Sequence, residues 1–400
     1  MTGEGLYVLL AGVPVLIWAY LLCAHDGFWR LREFLPSPVQ RQDWPDIVAL
    51  VPARDEAATI ARTVRGILQQ DYPGRLHLIV IDDQSGDGTA RLAREAAAGM
   101  GAAERLTVHE GETPPPGWTG KLWALAQGRE RLTHDARPAT YVWLSDADIG
   151  HGPETLRRLV IKAETDDRDL VSLMVKLKAE GFWGRLLIPS FILFFRMLYP
   201  FARANRPDRR EAAAAGGCIL LRKTALDRAG GFGAISGSLI DDCALATLVK
   251  AKGRAEAGRI WIGQADDSES LRAYDGLGGI WAMVSRSAYA QLRHSPALLL
   301  GTLIAMAWVF VLPPTTTVTL GFHGVPAAAA LGAVGWIAMA VTCVPVLRHY
   351  RQAPAWGLLL PLSAALYTAM TVGSAIAHAR GRGGRWKGRL HSTVGEQTRG

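Results

Sequence analysis

Three acidic pairs could carry chemistry in this chain. Asp82-Asp83 follows the apolar run Leu76–Ile81, Asp146-Ala147-Asp148 follows Tyr141–Leu144, and Asp241-Asp242 precedes a helix predicted over Cys243–Ala251. A carboxylate directly after an apolar strand can accept hydrogen bonds from a ligand, or it can serve the turn and cap the next helix. For Asp82 and Asp83 both readings stand. Two carboxylates one residue apart at a bend can converge on one divalent cation, because Mg2+ takes a few carboxylates with phosphate oxygens and water. Asp146 and Asp148 have that spacing. Adjacent carboxylates resist joint ionisation, which lifts one pKa toward that of a useful base. Asp241-Asp242 is such a pair, and its bland alternative is negative charge complementing a helix N-terminus. Gly216-Gly217, ahead of an apolar strand predicted over Ile219–Leu221, lets the backbone come close to a ligand.

These residues need strands and turns to position them. Asp46–Val51 is a short apolar run ended by Pro52 and reads as a buried parallel strand. Glu56–Gln70 has helical period, with Ile60, Val64, Ile67 and Leu68 on one stripe. Further strands are predicted at Leu76–Ile81, Leu106–His109, Tyr141–Leu144 and Leu170–Val175. Gly86 and Gly88 make a turn, Thr89 opens an alanine-rich helix, Lys121–Arg131 is helical, and Thr113–Gly117 is a loop. The repeated strand-helix-strand order predicts an α/β, doubly wound, Rossmann-like sheet with helices on both faces. Ligands of such sheets bind outside the carboxyl ends of the strands, where the acidic motifs fall. A Gly-x-Gly-x-x-Gly after the first strand, a P-loop and a Gly-x-Ser-x-Gly elbow are all absent from the sequence. That argues against a Rossmann dehydrogenase, a P-loop NTPase and a serine hydrolase.

The 400 residues are 49% hydrophobic and 20% charged, with net charge +8. The charge is unevenly spread. Residues 296–379 carry only Arg348 and Arg351, and residues 6–24 carry none, so these stretches read as membrane segments. Leu6–Ala24, about 28 Å as a helix, is expected to be an anchor (residues 1–24) rather than a signal peptide, because Met1–Gly5 lacks a basic region. Arg30, Arg32 and Arg41 place the following linker, 25–45, on the cytoplasmic side. A soluble domain is expected over 46–295. Three C-terminal helices are expected within 296–379: Ala297–Phe322, kinked or ended by Pro313-Pro314, then Val325–Leu347, then Trp356–Ala379 with Pro361 near its start. Arg348, His349 and Arg351 mark a cytoplasmic loop. The tail, 380–400, holds Arg380, Arg382, Arg385, Lys387 and Arg389, which favours the inside, whereas simple alternation puts it outside. Phe182–Phe201, interrupted by Arg185 and Arg196 and broken by Pro189, reads as an interfacial segment with Trp183 and Tyr199 at the headgroup level, or as a buried core helix. Cys23, Cys218, Cys243 and Cys343 lack metal-ligand spacing and are expected to be buried small hydrophobes.

The motifs together resemble the family 2, GT-A-fold glycosyltransferases. The matching pieces are Val51-Pro52-Ala53-Arg54-Asp55-Glu56, Ile81-Asp82-Asp83-Gln84-Ser85, Gly120-Lys121, Asp146-x-Asp148 and Asp241-Asp242. A narrower resemblance is carried by GWTGKLWALAQG (117–128), DLVSLMVKL (169–177), IPSFILFFRMLYPF (188–201), AAAAGGCILLRK (212–223), SLIDDCALA (238–246) and LRAYDGLGGIWAMVSRSAYAQLRHSP (271–296). These strings are similar to the hopene-associated glycosyltransferases of hopanoid gene clusters. The resemblance implies a GT-A sheet, a UDP-sugar donor and a membrane lipid acceptor, with Mg2+ or Mn2+ as cofactor and no nucleic acid partner. It implies that Asp83 binds the uracil, with Pro52, Arg54 and Glu56 beside it, and that Lys121 lies near the nucleotide. Asp146 and Asp148 would hold the metal on the diphosphate. Asp242 would be the general base and Asp241 would orient it. Membrane members of family 2 often carry Gln-x-x-Arg-Trp; here the chain reads Met283-Val284-Ser285-Arg286-Ser287, so Arg286 stands in the arginine's place without the Gln or Trp.

The expected function is therefore inverting sugar transfer from a nucleoside diphosphate to a membrane lipid, plausible for a hopanoid. The enzyme would be a multi-pass protein of the inner membrane with its catalytic domain in the cytoplasm. The alternatives are a family 2 enzyme that makes a polysaccharide or charges a polyprenyl phosphate, and a non-catalytic scaffold or transporter subunit. The intact Asp83, Asp146, Asp148 and Asp242 argue against the last, as does the lack of ionisable residues in 297–322.

Overall fold

The computed structural model describes residues 3–39, 41–132, 138–251 and 258–381. The chain divides into two compact units. One comprises the chain up to Leu31, Ala179–Ala202 and the segment from Tyr274 onward; the other comprises Arg32–Lys178 and Arg203–Ala273.

The second unit is built on a mixed sheet of eight strands: β1 (Ile47–Ala53), β2 (Leu76–Asp82), β3 (Leu106–Glu110), β4 (Tyr141–Ser145), β5 (Ile149–Gly150), β6 (Leu170–Lys176), β7 (Cys218–Arg222) and β8 (Ile260–Ser270). Their order is β3-β2-β1-β4-β7-β6-β8-β5. Side chains alternate along each strand, and both faces are covered. On one face Ile47, Ala49, Val51, Leu78, Val80 and Trp143 pack with Ile60, Val64 and Ile67 of the helix Ile60–Leu68. On the other face Val48, Leu50, Ile79, Ile81, Val142 and Leu144 pack with Leu122 and Leu125 of the helix Gly120–Arg131, and with Leu245 and Val249 of the helix Asp241–Ala251.

The α/β sheet covered by helices on both faces is as expected, and it is mixed, with β7 running against both β4 and β6. The chain leaves β6 at its carboxyl end and re-enters the sheet at that same end, which forces the reversal. Pro52 does not end β1, which continues to Ala53; β4 pairs with β1 only as far as Leu50, so the missing N–H lies where one ladder has already stopped. The first helix starts at Ile60 rather than Glu56, because Glu56 and Asp55 build the turn described below. Strand β8 was not foreseen at all. Its second half is polar, yet Gln264 and Ser268 are buried and bonded, the former donating to the Met174 carbonyl at 3.2 Å and the latter 3.2 Å from Thr155 Oγ1.

The other unit contains five helices long and apolar enough to cross a membrane: Gly3–Cys23, Gly181–Leu198, Pro296–Val318, Pro326–His349 and Pro354–Ala379. Pro189 does not break the second, which is continuous around it. Its Arg196 is 1% exposed, donating to the carbonyls of Phe28 and Arg30 at 2.8 and 2.7 Å and lying over the Phe201 ring. Neither does Pro313-Pro314 end the third. The wide π turn Ala307–Val311 precedes the prolines and the helix goes on to Val318. Pro313 has no N–H for the carbonyl four residues before it, that of Val309. The Trp18 indole N–H fills that place at 3.0 Å, which is the kind of repair apolar surroundings demand. Gly332 sits where an added Cβ would run into Thr316 Oγ1, so small residues set this helix contact. Leu16, Leu300, Ile304, Val318 and Ile337 are exposed, an apolar outer surface that water would penalise. Cys23 is exposed, contrary to expectation, while Cys218, Cys243 and Cys343 are buried. The basic residues Arg382, Arg385, Lys387 and Arg389 of the tail lie outside the described residues.

Candidate active site

β1 and β2 pair in parallel through Ala53 and Asp82, so the segments that follow them emerge side by side. Arg54 Nη1 donates to the Asp83 carbonyl at 2.6 Å and lies 3.5 Å from Asp83 Oδ2. The Asp55 N–H donates to Ser85 Oγ at 2.9 Å, and the Gly86 N–H returns a bond to Asp55 Oδ1 at 3.0 Å. The Glu56 N–H donates to Thr89 Oγ1 at 2.8 Å. Asp55 and Gln84 hold positive φ of 49° and 56°, a region non-glycine residues seldom occupy and which neighbouring bonds must enforce. The two aspartates of Asp82-Asp83 have different jobs. Asp82 Oδ1 accepts both the backbone N–H and the hydroxyl of Ser85, so it serves the turn. Asp83 is 2% exposed and paired with Arg54.

The remaining motifs converge on Lys121. Thr119 caps the helix Gly120–Arg131, its side chain accepting the Leu122 N–H at 3.2 Å, which places Lys121 in the first turn. A cation there opposes the helix dipole. The opposition is outweighed by carboxylates: Lys121 Nζ lies 2.9 Å from Asp146 Oδ1 and 3.0 Å from Asp241 Oδ2. Asp241 and Asp242 both lie within the first turn of their helix, which starts two residues earlier than the sequence pattern suggests. Asp242 Oδ2 accepts the Gly216 N–H at 2.9 Å and Oδ1 accepts the Cys243 N–H at 2.7 Å. Pro52, Lys121, Asp146, Gly216, Asp241 and Asp242 line one cavity, floored by apolar side chains such as Phe232 and Leu245.

Burial and mutual charge set the ionisation of this cluster. Burial would lower the Lys121 pKa, but Asp146, Asp241 and Asp242 outweigh it and hold the ammonium well above the usual lysine range. Burial raises the Asp146 pKa; Lys121 opposes the rise and Asp148 adds to it. The Asp242 carboxyl is pushed up to about 6, by burial and then by the charge of Asp241, against the pull of Lys121 and of two backbone N–H groups. His151, buried against Trp143 with Nε2 2.8 Å from Ser145 Oγ, is pushed down by burial to about 3 and stays neutral.

Asp148 is faced by a residue the sequence did not single out. Arg272, two residues past β8, places Nε 2.9 Å from Asp148 Oδ2 and Nη2 3.0 Å from Glu56 Oε1. An arginine just beyond a strand end was the available signal, hidden because β8 itself was hidden. Arg286, by contrast, follows the helix Gly276–Ser285 in the other unit. Among the described residues no group of three or more His, Cys, Asp and Glu side chains could hold a metal. Asp146 and Asp148 supply two hard oxygen donors, each already faced by a cationic nitrogen at 2.9 Å. Two carboxylates in a site arranged for positive charge suit Mg2+ or Mn2+, whose other ligands come from phosphate and water.

A mixed α/β sheet with acidic motifs at the carboxyl ends of its strands describes the GT-A glycosyltransferase fold. The model for glycosyltransferase like family 2 matches residues 45–257, and the chain belongs to that family; it is a glycosyltransferase. No curated protein matches the sequence. Among solved structures it is similar to the mannosyltransferase PcManGT from Pyrobaculum calidifontis in complex with GDP-Man and Mn2+. The TM-score is 0.53 and the identity 19%, over 95% of this chain and 98% of that one, a likeness of fold. Matches to a mycobacterial protein (TM-score 0.36, 21% identity, 62% of this chain and 79% of that one) and to mannosyl-3-phosphoglycerate synthase from Rubrobacter xylanophilus (0.35, 17%, 62% and 72%) are too distant in structure to carry an argument.

Proposed function

We propose that the protein is an inverting glycosyltransferase that moves a sugar from a nucleoside-diphosphate donor to a lipid acceptor in the membrane, a hopanoid in the narrower resemblance. The observation that carries this is the meeting of Lys121 with Asp146 and Asp241 beside Asp242, where two helix starts face the carboxyl end of β4 in a family 2 fold. In this reading Asp83, Arg54, Glu56 and the Pro52 backbone receive the nucleoside. Asp146 and Asp148 hold Mg2+ or Mn2+, as the Mn2+ of the similar mannosyltransferase suggests. When bound, the metal supplies charge neutralisation for the departing diphosphate.

The chain's own groups do the rest. The acceptor hydroxyl oxygen attacks the sugar's anomeric carbon while the bond to the diphosphate oxygen breaks, and the diphosphate leaves with the electron pair. The hydroxyl proton passes to the Asp242 carboxylate, which two backbone N–H groups hold in place. Lys121 keeps its proton and adds positive charge beside the site. Asp241 orients the pair through Lys121. One base, with no second carboxylate acting as nucleophile, makes the transfer inverting.

The five apolar helices support the lipid acceptor and a multi-pass membrane location. We place Gly3–Cys23 as an anchor, Pro296–Ala379 as three spans, Gly181–Leu198 in the interface, and the sheet unit in the cytoplasm of an inner membrane. The donor nucleotide is read as UDP from the resemblance; the GDP-Man of the similar structure is the competitor. Mn2+-dependent binding of UDP against GDP to the purified chain decides the donor. Mass spectrometry of membrane lipids with and without the protein decides the acceptor. A lipid profile without a single protein-dependent glycolipid would sink the lipid reading.

A further inference from the structure

Arg272 has no part in the mechanism above, yet it is built into the site. Leu271 donates its N–H to the Asp148 carbonyl at 2.7 Å, continuing the pairing of β5 with β8, and the Arg272 N–H is held 3.3 Å from Ser270 Oγ. The side chain thus starts beside the Asp146–Asp148 bend and spans to another strand end. Its two carboxylate partners are fixed: Glu56 Oε2 accepts from Thr59 Oγ1 at 3.1 Å, and the Glu56 and Asp148 side chains are 12% and 18% exposed. Arg272 itself is 41% exposed.

One oxygen of each carboxylate in the pair is therefore covered by a protein cation, Asp146 by Lys121 and Asp148 by Arg272. A bare divalent cation entering here must share each carboxylate with a protein cation and stand beside two like charges. A cation arriving on a diphosphate brings compensating negative charge. Because the guanidinium is partly exposed, its ion pairs are weak enough to yield to that complex. We propose that Arg272 is a positioning residue that keeps the Asp146–Asp148 pair closed to a bare divalent cation, so that metal enters together with the nucleoside diphosphate. This rests on the reading of Asp146 and Asp148 as the metal ligands.

The test is Mn2+ binding to the full chain in detergent, followed by electron paramagnetic resonance with no nucleotide present. Arg272→Gln binds Mn2+ alone roughly three- to tenfold more tightly than wild type. Arg272→Lys, which keeps the charge, stays near wild type, and adding Asp148→Asn to Arg272→Gln abolishes the gain. Arg272→Met serves as a second uncharged variant should the glutamine variant not fold. UDP or GDP tightens Mn2+ binding less in the uncharged variants than in wild type. If the uncharged variants bind Mn2+ no more tightly than wild type while Asp148→Asn still weakens it, the gating role is wrong and the metal reading survives. If Asp148→Asn changes nothing in either background, the metal reading itself falls.

Discussion

Gly216 donates its backbone N–H to Asp242 Oδ2 at 2.9 Å, from a position where an added Cβ would stand 3.1 Å from Lys121 Nζ. One backbone position thus orients the proposed base and leaves room for its counter-ion. The atom a methyl group would meet is the far end of a flexible lysine, so Gly216→Ala should fold. It should displace the ammonium by a few tenths of an ångström and lower turnover by roughly three- to thirtyfold. Full turnover in a variant of unchanged melting temperature would show that this ammonium position does not matter.

Asp242→Asn should leave donor binding nearly intact and cut transfer by about 10² to 10⁴, the worth of a positioned base. The pH dependence adds a sharper signature. Transfer needs the carboxylate, so the wild-type rate should rise with pH through about 6, and that limb should vanish in the variant. Stability runs the other way. A carboxyl whose folded pKa is raised contributes stability that is complete below its unfolded value, about 4, and is lost as pH rises through the folded one. Asp242→Asn removes that loss, so it should melt higher than wild type at pH 8 and no higher at pH 4. Near wild-type transfer would move the base elsewhere.

Asp146→Ala and Asp148→Ala should each abolish metal-dependent nucleotide binding in a protein that still folds. Calorimetry with Mn2+ and UDP or GDP reads this directly, and undiminished binding in either variant would exclude that residue as a ligand.

Lys121→Met removes the ammonium shared by Asp146 and Asp241. The stranded carboxylates should cost on the order of 2 kcal/mol at neutral pH, less than a fully buried pair because the side chains are partly exposed. With the opposing cation gone, the Asp242 pKa should climb further and the low-pH limb of the rate should move to higher pH. A limb that stays put would mean that Lys121 does not reach the base electrostatically.

Single cysteines placed in a cysteine-free background, with the exposed Cys23 replaced, should resist labelling from outside intact cells at positions 30–41 and 348–351. A cysteine at His323, between two of the apolar helices, should be labelled. Outside labelling in either basic loop would invert the proposed topology.

The acidic motifs after β2 and β4 were legible because apolar runs announce both strands and aspartates follow them directly. Asp146, Asp148, Asp241, Asp242 and Lys121 could be named from the sequence, but that one ammonium joins three of the four carboxylates electrostatically is a product of packing. β8 was invisible for a physical reason: Gln264, Ser268 and Ser270 are buried as polar residues interspersed with exposed Asp266 and Glu269, and a reading of apolar periodicity does not register them. Arg272 was lost with it. The prolines misled in the opposite direction. Pro52, Pro189 and Pro313 each looked like an end, and each is accommodated, by a ladder that had stopped, by a continuous helix, and by an indole from a distant segment.

The late arrival of β8 has a temporal side. β5, the two-residue strand directly after Asp148, finds its partner in the sheet only in β8, about 120 residues later. At a synthesis rate of about 5–20 residues per second, roughly 6–24 seconds pass between the emergence of Asp148 and that of the strand that pins it. For that interval a nascent chain holds β1, β2 and β4 ready to assemble, and the Asp146–Asp148 bend has the Thr63 hydroxyl on its Ala147 carbonyl but not yet the Leu271 N–H or the Arg272 guanidinium on Asp148. The proposed metal ligands thus acquire their geometry near the end of the domain's synthesis, and a half-made chain carries the motif without the means to use it.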